Sequence, residues 1–162
     1  MKYIFRIVLL FFCVVQANAQ NSRKEVFYTN QLYVNEILWS QLSHDNLKDS
    51  FTAQTSTYQK DLNESYSVLR VEKNHFEFES QDMRLAKFDL YSDLCELKLK
   101  NQNVRIGDGI DALAKVYNQS YLDNKAYRSM VFPIHDLNGL IGKLYVKYNR
   151  EEKIASLHYY SK

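Results

Sequence analysis

Cysteine is scarce. The 162 residues hold two, Cys13 and Cys95. Cys13 lies in an apolar run at the start of the chain that reads as a removable leader, so Cys95 stands alone and an intrachain disulfide is excluded from the mature protein. Stability then has to come from a packed core. The 13 Tyr and 9 Phe supply the material for one, because each buried ring removes ~150–250 Å² from water. Net charge is absent as well. The chain has 21 basic and 19 acidic residues. Two of the basic ones, Lys2 and Arg6, leave with the leader, and the remaining charges balance. A neutral protein offers no long-range field for nucleic acid or an anionic membrane, so neither is expected as a partner. Metal and catalytic signatures are missing too. His44, His75, His135 and His158 sit in no zinc spacing, and neither a Gly-x-Ser-x-Gly elbow nor a phosphate loop occurs. No catalytic residue, metal or cofactor is therefore expected from motifs.

Long apolar runs are also lacking. Ile7 to Val15 carries no charge but is far short of the ~20 residues a membrane-spanning helix needs. Lys2 and Arg6 precede it, and Ala17-Asn18-Ala19 follows with small residues at the positions a signal peptidase reads. Residues 1–19 are expected to be a secretory signal peptide, with Gln20 first in the mature chain. Acylation of Cys13 is not expected, because Phe11-Phe12 precedes it. The Asn-Ala-Gln junction resembles bacterial, Gram-negative leaders. The protein is expected to be secreted or periplasmic, with no stable membrane insertion after cleavage.

The remaining 143 residues suit one compact domain or two very small ones. Residues 20–41 are expected to form an N-terminal, largely helical segment: Phe27, Val34, Leu38 and Leu42 fit one helical face, although Leu32, Val34 and Leu38 also fit alternation. Trp39 reads as a core anchor. A short helix follows, with Leu47 and Phe51 on one face, and then a polar loop through 52–65. From Tyr66 the period changes to two. Leu69 and Val71, then Phe76 and Phe78, then Ala86, Phe88 and Leu90 alternate with polar residues and are separated by turn residues. This predicts an antiparallel meander with one wet face. In the strand after it, Cys95, Leu97 and Leu99 share the apolar side, so the thiol is expected to be buried and inert.

The pattern then restarts. Ile106-Gly107-Asp108-Gly109-Ile110-Asp111 opens a helix that carries Leu113, Val116 and Tyr117. Asp108 is the expected N-cap, with Asp111 at the positive end of the helix dipole. Only two carboxylates are present, too few for a calcium loop. A loop is expected over 118–127, and strands follow at Met130–Ile134, Leu144–Tyr148 and Ala155–Tyr159. The last of them, KIASLHYYSK from Lys153, echoes RLAKFDLYSD from Arg84, 69 residues earlier. Ala86/Ala155, Tyr91/Tyr160 and Ser92/Ser161 are identical. The expected fold is thus α+β, with two similar helix–loop–three-strand units at 42–105 and 106–162 and helices packed on one face of an antiparallel sheet. The 106–111 segment with the strands up to Tyr160 resembles the tandem α/β units of secreted beta-lactamase inhibitory proteins and the fold of the BamE (SmpA/OmlA) outer-membrane assembly lipoproteins. That resemblance implies a helical layer against an antiparallel sheet. The disulfides of the inhibitors are not matched, and no function is carried over.

Alternation gathers Lys87, Asp89, Tyr91, Tyr145, Lys147, His158 and Tyr160 on the wet face, with Arg70, Glu72 and Glu77 beside them. Tyrosines among mixed charges are what protein-binding patches use. The leading expectation is a non-catalytic protein-binding module that uses this open sheet face. The alternatives are an inhibitor or immunity-type protein acting on a secreted enzyme, and a small hydrolase whose site the sequence does not display. Asp89 and His158 hold equivalent places in the two echoes. They would suit a catalytic pair if they met, but local spacing does not bring them together.

Overall fold

The computed structural model describes residues 25–51, 56–59 and 66–162; the expected signal peptide lies outside them. In chain order the elements are β1 (Phe27–Tyr28), β2 (Leu32–Val34), β3 (Ile37–Leu38), α1 (His44–Ser50), β4 (Ser56–Gln59), β5 (Tyr66–Val71), β6 (Asn74–Glu79), β7 (Leu85–Leu90), β8 (Leu97–Leu99), β9 (Gln102–Val104), α2 (Asp111–Val116), α3 (Asn118–Asn124), β10 (Ser129–Asp136), β11 (Gly139–Tyr148) and β12 (Ile154–Ser161). The class is α+β, with more strand than helix. A large sheet runs in the order β1-β10-β11-β12-β7-β6-β5-β4, and a small one in the order β3-β2-β8-β9. All pairings are antiparallel except β1 with β10. No helix among the described residues is long and apolar enough to cross a membrane.

Period-two hydrophobicity sets which way each long strand faces. Phe76 and Phe78 of β6, Phe88 and Leu90 of β7, Leu144 and Val146 of β11, and Leu157 of β12 are fully buried. They join Leu32, Val34, Leu97 and Leu99 of the small sheet in one continuous core. Trp39 anchors it as expected, meeting Phe88 at 5.9 Å and Tyr159 at 4.7 Å between ring centroids. At the far end Phe27, Tyr117 and Phe132 form a triangle of edge contacts. Cys95 is buried just ahead of β8, and burial, followed by the neighbouring Glu96 charge, pushes its thiol up to about 12. The helices have six or seven residues each. Helices this short are not stable alone and depend on packing. In α1, Leu47 is buried and Ser43 accepts a hydrogen bond from the Asn46 amide as N-cap.

Four expectations give way. Residues 25–41 are not helical; they form β1, β2 and β3 with short 3-10 turns. Asn35 and Glu36 take φ of 47° and 67°, the left-handed pair of a two-residue hairpin turn. Asn is a usual residue there and Glu is not, which hid the turn. Leu32 and Val34 lie opposite Leu99 and Leu97, so their alternation reflects a strand. Residues 56–59, expected within a loop, form β4 along β5. Residues 118–124, also expected as loop, form α3, which rests on β10 through Ser120 Oγ donating to the Val131 carbonyl at 3.3 Å. Finally, Asp108 is not an N-cap. The helix begins three residues later, and the Asp108 carboxylate instead accepts from the Arg105 amide at 2.9 Å, closing the turn before it.

Candidate functional site

The centre of the large sheet is the pairing of β7 with β12, strands whose partner residues are about 70 positions apart. Leu90 stands opposite Leu157, Asp89 opposite His158, Phe88 opposite Tyr159 and Lys87 opposite Tyr160. With Phe88, Leu90 and Leu157 committed to the core, alternation turns Asp89, His158, Lys87 and Tyr160 to the outer face. The rungs continue on both sides: His75 and then Arg70 beyond Asp89, Tyr145 beyond His158, and Glu77 beyond Lys87. One rung the other way, Ser156 faces Lys147.

These side chains form a connected network. His158 Nδ1 lies 2.6 Å from Asp89 Oδ1, and its Nε2 lies 2.8 Å from Ser156 Oγ. Lys87 Nζ is 3.0 Å from Asp89 Oδ2 and 3.5 Å from Glu77 Oε1, which in turn lies 2.7 Å from His75 Nε2. The Tyr160 hydroxyl donates to Asp89 Oδ1 at 3.3 Å. Aromatic rings enclose the imidazole. Tyr91 meets His158 edge-on at 5.5 Å, Tyr160 lies parallel to it at 6.4 Å, and Tyr145 meets Tyr160 at 5.9 Å. Tyr91 is held in place by Asn74, a buried side chain whose Oδ1 accepts from the Tyr91 and Ser92 amides. His158 and Ser156 are only 5% and 7% exposed, although they sit on the outer side of the sheet.

The network fixes proton positions. An ionised carboxylate has no hydrogen to give, so Nδ1 of His158 carries the one in the bond to Asp89. In the neutral ring Nε2 is then an acceptor, and the Ser156 hydroxyl donates to it. Burial alone would raise the Asp89 carboxyl, but the hydrogen bonds from His158 and Lys87, with their charges, outweigh it and hold the group below its ordinary value. Lys87 is raised by the hydrogen bond to Asp89, more than burial lowers it. The Tyr160 phenol is raised by burial and then by the charge of Asp89.

A pH dependence follows from those directions. A carboxyl lowered by folding contributes stability above its unfolded value, ~3.9 for Asp, and that contribution is lost as pH falls through the folded value. An amine raised by folding contributes below its unfolded value, ~10.4 for Lys, and loses that contribution as pH rises through the folded value. The Lys87–Asp89 contribution therefore spans the window from about pH 4 to about pH 10. Asp89→Asn is expected to lower the urea midpoint most at neutral pH and to narrow its gap from wild type at both extremes. A gap of constant size from pH 3 to pH 11 contradicts the assignment.

The structure brings together Lys87, Asp89, Tyr91, Tyr145, His158 and Tyr160 from the set expected by alternation. Lys147 is on the same face one rung away, and no hydrogen bond or ion pair joins it to the others. Two participants were not singled out from sequence. Alternation puts Ser156 and His75 on this face, but nothing in the spacing marks them as partners of His158 and Glu77. Among the described residues no group of three side chains is placed to hold a metal ion. A separate cleft of about 480 Å³ opens at one edge of the core, where Trp39, Leu140, Ile141 and Tyr159 meet Glu79 and Arg84. Its arginine is already paired with Glu79 and Asp82. Compared with family models, curated proteins and solved structures, the chain matches none.

Proposed function

We propose that the protein is a secreted or periplasmic binding module that holds a partner protein on the outer face of its large sheet. The observation that carries this reading is the patch of Tyr91, Tyr145 and Tyr160 fixed around His158 and Asp89. Tyr91 and Tyr160 are 50% and 44% exposed, large surfaces for rings already held by neighbours. Rings ordered before binding lose little entropy when a partner arrives, and Tyr is enriched in interface cores while charged groups belong to the polar rim around them. Export rests on the leader at residues 1–19.

The two-unit architecture belongs to the same proposal. The sheet order places β12 and β7, the last strands of the two echoes, side by side. The equivalent residues Asp89 and His158 face each other there, as a two-fold relation between halves requires of residues at its axis. The relation covers the inner three strands of each half, since β1 runs parallel to its neighbour and β4 antiparallel. In this reading the helices and the small sheet cover one face of the large sheet and leave the other for docking. An inhibitor of a secreted enzyme is the second form of this function, and the same tyrosines would carry it.

The test replaces Tyr91, Tyr145 and Tyr160 by alanine together. The wild-type chain is expected to bring down a partner in fixed ratio from the extracytoplasmic fraction of its source cells. The triple variant is expected to lose that partner while keeping its near-ultraviolet circular dichroism. A folded triple variant that retains every partner of the wild type rejects the outer-face reading.

A further inference from the structure

We propose that Ser156 is a nucleophile for acyl transfer, with His158 as its general base and Asp89 as the residue that positions the imidazole. This goes beyond docking and needs no partner protein. The geometry is specific. Ser156 and His158 are two apart on β12, so the pleat turns both to the same side. Asp89 arrives from β7 opposite His158. The contacts of 2.8 Å and 2.6 Å link hydroxyl to Nε2 and Nδ1 to carboxylate in one line, and the proton directions derived above leave Nε2 free to take the serine proton. That is the nucleophile, base and orienting acid required of an activated serine. Lys87 and Tyr160 hold the two Asp89 oxygens, which keeps the carboxylate ionised and its orientation fixed.

Room for a substrate lies beside the serine. Ser156 lines an open depression of about 440 Å³ together with Tyr127, Arg128 and Lys147. Arg128 and Lys147 make no ion pair among the described residues, so two unpaired cations line the depression beside the serine. The class of substrate is a small carboxylic ester. Ser156 Oγ bonds to the carbonyl carbon and its proton passes to His158 Nε2. The carbon–oxygen bond to the alcohol then breaks, and the alcohol leaves with that proton. Water, deprotonated by His158, next attacks the acyl-serine, and the acid departs as the serine hydroxyl is restored.

The experiment uses the mature chain at pH 8 with two probes, a fluorophosphonate and p-nitrophenyl acetate. The expected result is one fluorophosphonate adduct per chain, mapped by mass spectrometry to Ser156, and a burst of about one p-nitrophenolate per chain. Ser156→Ala abolishes both. His158→Gln slows both by on the order of 10²-fold or more. Asp89→Asn also slows labelling and changes the shape of its pH profile, because an amide no longer enforces the tautomer, whereas a purely structural role would leave the profile of the folded fraction unchanged. Should either the His158 or the Asp89 variant fail to fold, the position of the wild-type adduct and its loss in Ser156→Ala decide. An unlabelled wild type, an adduct on another residue, a missing burst, or equal reactivity of folded His158→Gln overturns the proposal.

Discussion

Phe88→Ala is expected to cost about 3–5 kcal/mol, the range for removing a buried phenyl ring. The side chain is fully buried at the middle of β7. Its ring contacts Trp39 from the covering layer, Phe76 from β6 and Tyr159 from β12, with centroids 5.9 Å, 6.0 Å and 5.9 Å away. Truncation loses the transfer free energy of the ring and also leaves a cavity walled by three aromatic groups, each fixed by its own strand or turn and slow to collapse inward. Against a total stability of about 5–15 kcal/mol, such a loss removes a large fraction of the whole. Trp39 is the only tryptophan and touches the site directly, so its fluorescence reports the transition without an added probe. A shift of the urea midpoint worth less than about 1.5 kcal/mol shows that the cavity refills and that the ring is not central. Phe88→Leu separates the two contributions, since it keeps most of the apolar volume and gives up only the ring contacts.

Gly142→Ala is the second large effect, and its sign runs against ordinary strand behaviour. Glycine in a strand interior gives up more freedom on folding than alanine, so the substitution normally gains about 0.5–1 kcal/mol. At Gly142 a Cβ would lie 2.5 Å from the Tyr160 carbonyl oxygen, 2.6 Å from a ring carbon of Tyr159 and 2.7 Å from the Tyr159 hydroxyl. One of these is backbone of the paired strand and the others belong to a buried ring, so none is a flexible tip that can swing away. Overpacking of this kind costs about 1–3 kcal/mol, occasionally more, and outweighs the entropic gain. It also displaces the Tyr159 hydroxyl from the Ile141 carbonyl, to which it donates at 3.4 Å. The control is Gly109→Ala, where a Cβ meets nothing within 4 Å. A thermal midpoint that falls by several degrees for Gly142→Ala and stays level for Gly109→Ala is expected; equal midpoints refute the close approach of β11 to β12.

Phe88 lies on β7 and Gly142 presses on β12 from β11; the pairing of β7 with β12 is also what brings Asp89 to His158 and Ser156. Its register is therefore a structural and a chemical quantity at once. A slip of one residue between β7 and β12 would turn one strand's whole set of side chains to the other face. Phe88 and Tyr159 in the core hold it against such a slip. The polar network on the outer face is thus positioned by apolar packing on the inner one.

Much of the fold is legible in the residues. Phe76 and Phe78, Phe88 and Leu90, and Leu144 and Val146 announce their strands and their buried side by alternation, because a pleated strand presents successive residues to opposite faces whatever it pairs with. The same local rule places Asp89, His158 and Tyr160 outward, marks Cys95 as buried and gives Trp39 a core position through its apolar neighbours. Alternation is a property of one strand, so a single strand's residues suffice to show it. The turn at Asn35-Glu36, the helix at 118–124 and the backward hydrogen bond of Asp108 are different in kind. Each is chosen by contacts outside its own segment: Leu97 and Leu99 for β2, Val131 for α3, and Ile154, whose amide donates to the Asp108 carbonyl at 2.8 Å, for the turn before α2. The meeting of Asp89 with His158 is the extreme case. Which strands become partners, and in which register, is decided by closing a long loop and filling a shared core, and no periodicity within either segment encodes that choice.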